Sequence, residues 1–137
     1  MEANDYYKHL MELADLDVEP KSIPESRIML EELEEREEKL KILHLELKRD
    51  IRYMEAVYLK RKGELNQAFN ENQEIIPKKR FAKKKESRVT VIKRLEKEKQ
   101  EVLEPYHKVL AMAEQLLNEM KDAKKPLEDF VTDKMGL

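Results

Sequence analysis

From Glu25 to Asn72 the chain contains no proline and a single glycine, Gly63. Nothing there removes a backbone donor or clashes with the preceding turn, so one uninterrupted helix is expected. At about 1.5 Å per residue it is roughly 70 Å long. A helix of that length is stabilised by burying one face against a partner of similar length. The stretch from Glu86 to Lys124 is the segment long enough to serve.

Prolines place the other boundaries. A short first helix is expected over 5–17, capped by Asn4 or Asp5, with Tyr6, Leu10, Leu13 and Ala14 on one face. Pro20 and Pro24 bracket a non-helical stretch, and Pro24 suits the first position of the long helix over 25–73. Pro77 ends that helix within a basic connection, 74–85. The second long helix covers 86–124 and is expected to kink near Pro105, where a backbone hydrogen bond is lost. Pro126 then opens a short closing helix, 126–134, with Leu127, Phe130 and Val131 on its apolar side.

Composition agrees with this reading. Charged residues make up 42% of the 137 positions and aromatic ones 6%, with two glycines. A globular chain carries roughly a quarter charged residues, so the balance favours narrow apolar seams on long helices over sheets. The chain has no cysteine, which excludes disulfides, thiolate zinc sites and cysteine nucleophiles. No apolar run approaches the ~20 residues of a membrane span, and residues Met1 to Asp5 lack a basic-then-apolar leader. A cytoplasmic protein without membrane contact is expected, or a nuclear one in a eukaryote.

Both long segments carry heptads. In the first, Leu30, Glu37, His44, Ile51, Tyr58 and Leu65 alternate with Leu33, Leu40, Leu47, Met54, Arg61 and Ala68. In the second, Ile92, Lys99, Tyr106, Ala113 and Met120 alternate with Leu95, Val102, Val109, Leu116 and Ala123. A seven-residue period is that of a left-handed coiled coil. The short connection folds the helices back antiparallel. A turn centred near Arg80 makes partner numbers sum to 160, so Leu65 faces Leu95, Tyr58 faces Val102, and Leu40 faces Met120. One layer conflicts: Arg61 faces Lys99, and both are expected to reach outward toward Glu64, Glu96 or Glu98. The expected fold is thus all-α, one domain over 1–137: a long antiparallel coiled-coil helical hairpin with short terminal helices packed at its open end.

Leu103, Leu110 and Leu117 lie one position past the seam and widen its apolar face. An apolar stripe of this kind marks an interface, and a twofold homodimer is its commonest closed solution.

Charge is unevenly spread. Residues 1–77 hold 12 basic and 19 acidic side chains, while residues 78–137 hold 16 and 11. The basic peak is Lys78, Lys79, Arg80, Phe81, Ala82, Lys83, Lys84 and Lys85, with Arg88 close behind. At a hairpin turn these cations suit phosphates or an acidic protein surface, with Phe81 placed to stack. No recognition helix accompanies them, so nucleic-acid contact would be directed at the backbone. The same cations also serve simply as a solvated loop.

Catalysis has little support. The chain has no glycine-rich phosphate loop and no nucleophile elbow. Ser22, Ser26 and Ser87 read as caps or polar surface. Glu104 and His107 have the Glu-x-x-His spacing of di-iron bundles, but the second motif such sites need is missing. His44 reads as a polar seam residue that specifies register. No cofactor and no metal are expected. The leading expectation is a non-enzymatic coiled-coil interaction or scaffold protein that self-associates or binds a protein partner. The alternative is a nucleic-acid-binding protein using Lys78 to Arg88, and a metal-dependent helical-bundle enzyme is a minor third.

Overall fold

Two serines start the two long helices. In the structure, a computed structural model that describes residues 1–15, 22–72 and 87–135, α1 spans Ala3–Ala14, α2 Ile23–Asn72 and α3 Arg88–Met135. The Ser22 Oγ accepts from the Glu25 backbone N–H at 3.2 Å, and the Ser87 Oγ accepts from the Thr90 N–H at 3.2 Å. Each satisfies a donor that has no partner within its own helix. Pro24 falls in the first turn of α2, where its missing N–H costs nothing. All regular structure among the described residues is helical.

α1 begins earlier than a cap at Asn4 or Asp5 would place it. Glu2 is the N-cap, and Asp5, three residues on, accepts from the Glu2 backbone N–H at 3.1 Å. Asp5 thus acts from inside the first turn, where its charge also complements the helix dipole.

One further boundary differs from expectation. α3 runs without interruption through Pro105 and Pro126 to Met135, so 126–134 is the last part of α3 and not a separate helix. Leu127 is fully buried, seven residues after buried Met120. Keeping that leucine on the packed face offsets the lost backbone bond at Pro126, a case of tertiary packing overriding propensity.

The chain forms two compact units, Met1–Arg49 with Tyr106–Leu137, and Asp50–Pro105. In the first, Leu33, Leu40, Leu43 and Leu47 of α2 are buried with Val109, Ala113, Met120 and Leu127 of α3. Tyr6 and Leu10 of α1 complete this core. The Tyr6 and Tyr106 rings meet edge to face at 6.5 Å, and the Tyr106 hydroxyl donates to the Met1 carbonyl at 3.2 Å. In the second unit Ile51, Tyr58, Phe69 and Leu103 are buried.

Within each unit α2 and α3 pack antiparallel. Ion pairs join Glu37 to Lys124 and His44 to Glu114 in the first unit, and Arg61 to Glu98 and Lys62 to Glu96 in the second. Their residue numbers add to between 158 and 161, close to the 160 expected from the heptads. The awkward layer resolves by reaching outward: the Arg61 guanidinium sits 5.2 Å over the Tyr58 ring and 3.6 Å from Glu98. Stacking and a carboxylate together explain why a cation is tolerated beside the seam.

One seam position is corrected. Val102 is 38% exposed, whereas Leu103 is 3% exposed. After Lys99 the buried step is four residues instead of three. The larger leucine gains more from burial than valine does, so the helix presents Leu103 inward.

Candidate interaction faces

The residues singled out in the sequence fall into three groups. Lys78, Lys79, Arg80, Phe81, Lys83, Lys84 and Lys85 lie outside the described residues. Arg88 is described and exposed, and its Nε donates to the Asn66 side-chain oxygen at 2.9 Å. That bond ties the start of α3 to α2. Of the leucine stripe, Leu103 is buried, and Leu110 and Leu117 are half-buried. Much of that stripe is therefore taken up within the chain.

Exposed aliphatic residues recur along α2 instead. Ile28 is 56% exposed, Ile42 56%, Leu45 66% and Leu59 70%. At 3.6 residues per turn these positions fall on the side of α2 opposite the buried leucines. The sequence signal for them was present as a second series of apolar residues, hidden under the stronger inner seam.

Beside Ile42 is a groove between α1 and α2 of about 450 Å³, floored by Leu13 and Leu43 and edged by His9, Lys39 and Glu46. Arg36 holds its walls together. The Arg36 Nη1 donates to the carbonyls of Glu12 at 3.2 Å, Leu13 at 3.3 Å, and Asp15. These belong to the C-terminal end of α1, whose last turn has no basic residue of its own. A guanidinium from α2 thus supplies the positive charge and the donors that a helix C-terminus needs.

A polar cluster lies elsewhere in the same unit. Glu37, at a seam position, is buried; Lys124 Nζ lies 2.6 Å from its Oε2 and Lys41 Nζ 3.2 Å from its Oε1. Burial pushes the Glu37 carboxyl up, but hydrogen bonds from Lys124 and Lys41 outweigh it and hold it below its ordinary value of 4.5. The bond to Glu37 raises the Lys124 ammonium against its own burial, aided by the charges of Glu37, Glu34 and Glu128. A groove of about 450 Å³ beside them is otherwise acidic, lined by Glu31, Glu34, Glu35 and Glu38.

The stability of this pair depends on pH in a definite direction. Because the folded pKa of Glu37 is lowered, its contribution is present above about pH 4.5 and is lost as pH falls through the folded value. Because that of Lys124 is raised, its contribution is full below about pH 10.5 and is lost as pH rises beyond it. Lys124→Ala is expected to cost about 1–2 kcal/mol at pH 7, since it leaves a buried carboxylate with one partner fewer. Glu37→Leu is expected to be near neutral and to flatten the acid limb, because it replaces a buried ion pair with seam packing. Urea unfolding from pH 3 to pH 7 measures both. A Glu37→Leu loss larger than that of Lys124→Ala would contradict the account.

His44 finds a partner across the seam: its Nε2 lies 3.2 Å from Glu114 Oε1. In the second unit the Tyr58 hydroxyl donates to Glu98 at 3.4 Å. Its phenol is raised by burial and then by the Glu98 charge, with Arg61 opposing. Among the described residues no group of three or more His, Asp or Glu side chains is placed to hold a metal. Among them, too, no helix is long and apolar enough to cross a membrane. Compared with family models, curated proteins and solved structures, the chain has no match.

Proposed function

We propose that the chain is a non-enzymatic interaction protein in which α2 and α3 form a coiled-coil hairpin and an outer helix face binds a protein partner. The observation that carries this reading is the exposure of Ile28, Ile42, Leu45 and Leu59 on one side of α2. Isolated exposed leucines need no explanation, whereas apolar residues recurring along one face of a long helix mark an association surface. Support for the coiled coil comes from the burial of Leu33, Leu40 and Leu47, three consecutive members of one heptad series.

The basic stretch supports a second reading. Residues 78–99 hold 11 basic and 3 acidic side chains, a density suited to phosphate contact.

Molecular mass by light scattering across about 1–100 µM protein, with a nucleic-acid shift assay in a salt series, separates the two readings. Concentration-dependent association without retardation of nucleic acid is the expected result. A chain that stays monomeric yet retards nucleic acid at low salt would overturn the leading reading.

A further inference from the structure

We infer that the outer face of α2 docks on the same face of a second copy, antiparallel and in one register. This rests on the interaction-protein reading and names the partner. The face consists of two interleaved heptad series. Within the first compact unit one is Ile28, Glu35, Ile42 and Arg49, and the other is Glu31, Glu38 and Leu45. All seven residues are exposed. In an antiparallel pair each member of one series faces a member of the other.

Charge complementarity selects the register. When partner numbers sum to 87, Ile42 faces Leu45 and Glu38 faces Arg49, all residues of the first compact unit. Apolar residues meet apolar ones and acids meet bases. Twofold symmetry repeats each layer, as a self-complementary interface requires.

Other registers fail on the same residues. A shift of one heptad one way sets Glu35 against Leu45 and Glu38 against Ile42. The opposite shift sets Leu45 against Arg49. A parallel pair in register sets each charge against its own copy. Burying an unpaired charge or opposing like charges disfavours each of these.

The flanks set the strength. On the side of the groove next to α1, Lys39 faces Glu46 of the second copy, adding two more complementary pairs. On the other side Lys41 faces Lys48, although Lys41 is already paired with Glu37 at 3.2 Å. With apolar layers separated by charged ones, the dimer is expected to be of modest affinity and sensitive to salt.

Charge exchange tests the register. Glu38→Arg makes one variant, and Arg49→Glu makes the other. Sedimentation equilibrium should show the wild type dimerising at high micromolar concentration. Each variant alone should dissociate at least about tenfold more readily, and mixing the two should restore a dimer. The chain has no cysteine, so Ile42→Cys mixed with Leu45→Cys reports the register directly. The mixed pair should crosslink faster than either variant with itself. A wild type that remains monomeric to about 1 mM at low salt overturns the inference. A dimer indifferent to both charge reversals also overturns it, and in that case association through another face leaves the interaction-protein reading standing.

Discussion

Leu40→Ala and Leu47→Ala should each lower the unfolding free energy by about 2–5 kcal/mol. Both leucines are fully buried in the first compact unit. Truncation removes the transfer free energy of the deleted methyl and methylene groups and leaves a void that neighbouring helices refill only in part. Leu45, two residues before Leu47, is the internal control. It is exposed, so Leu45→Ala should change stability by no more than about 0.5 kcal/mol in dilute protein. Urea unfolding of the three variants at one protein concentration makes the comparison. Equal losses at Leu45 and Leu47 would mean that the inner and outer faces of α2 are wrongly assigned. The contrast matters for the proposed function, in which the same helix holds the fold with one face and offers the other to a partner.

Neutralising Lys78, Lys79, Arg80, Lys83, Lys84 and Lys85 is expected to abolish any binding of nucleic acid and to leave helix content unchanged. Six like charges within eight residues repel one another, so their removal relieves repulsion. Phosphate binding releases condensed counterions, so the logarithm of the affinity falls with the logarithm of salt by about 0.9 per neutralised phosphate on duplex DNA. The slope should shrink by about one for each phosphate that the variant no longer engages. Arg88 serves as the discriminating residue in the series: its Nε already bonds Asn66, so its replacement should disturb the start of α3 as well as the charge. Phe81→Ala separates stacking from pure electrostatics. A loss of about 1 kcal/mol or more on single strands indicates a base stacked on the ring. If the neutralised protein retards nucleic acid as well as the wild type, the basic stretch is only a solvated segment.

Periodicity made much of the fold legible. The proline-free run became α2, and the heptad positions Leu33, Leu40, Leu47, Ile51 and Tyr58 are buried. Such positions are readable because a seven-residue repeat constrains which residues share a face before any partner is known. The Arg61 layer was legible for the same reason, as a cation where the repeat calls for a hydrophobe. The outer face of α2 was readable in principle, but its layers are half charged and give a weak apolar signal.

Other features have no local signature. Arg36 is one of many arginines on an exposed-looking pattern, and only the approach of α1 makes it the group that closes that helix's C-terminus. The pairing of His44 with Glu114, and of Glu37 with Lys124, joins residues 70 and more positions apart. Local chemistry made each a tolerated seam polar group and did not name its partner.

By itself the sequence determined the helical class, the inner seam of α2 and the direction in which α3 returns, because each follows from a repeat or a breaker acting within a few turns. Only the tertiary structure decided between Val102 and Leu103 and carried α3 through Pro126. Neighbouring residues on one helix differ by about 100° in direction, so both can lie near a seam, and the choice belongs to the surface they meet. A proline's cost is likewise local, whereas the burial of Leu127 that outweighs it exists only once the helices are packed.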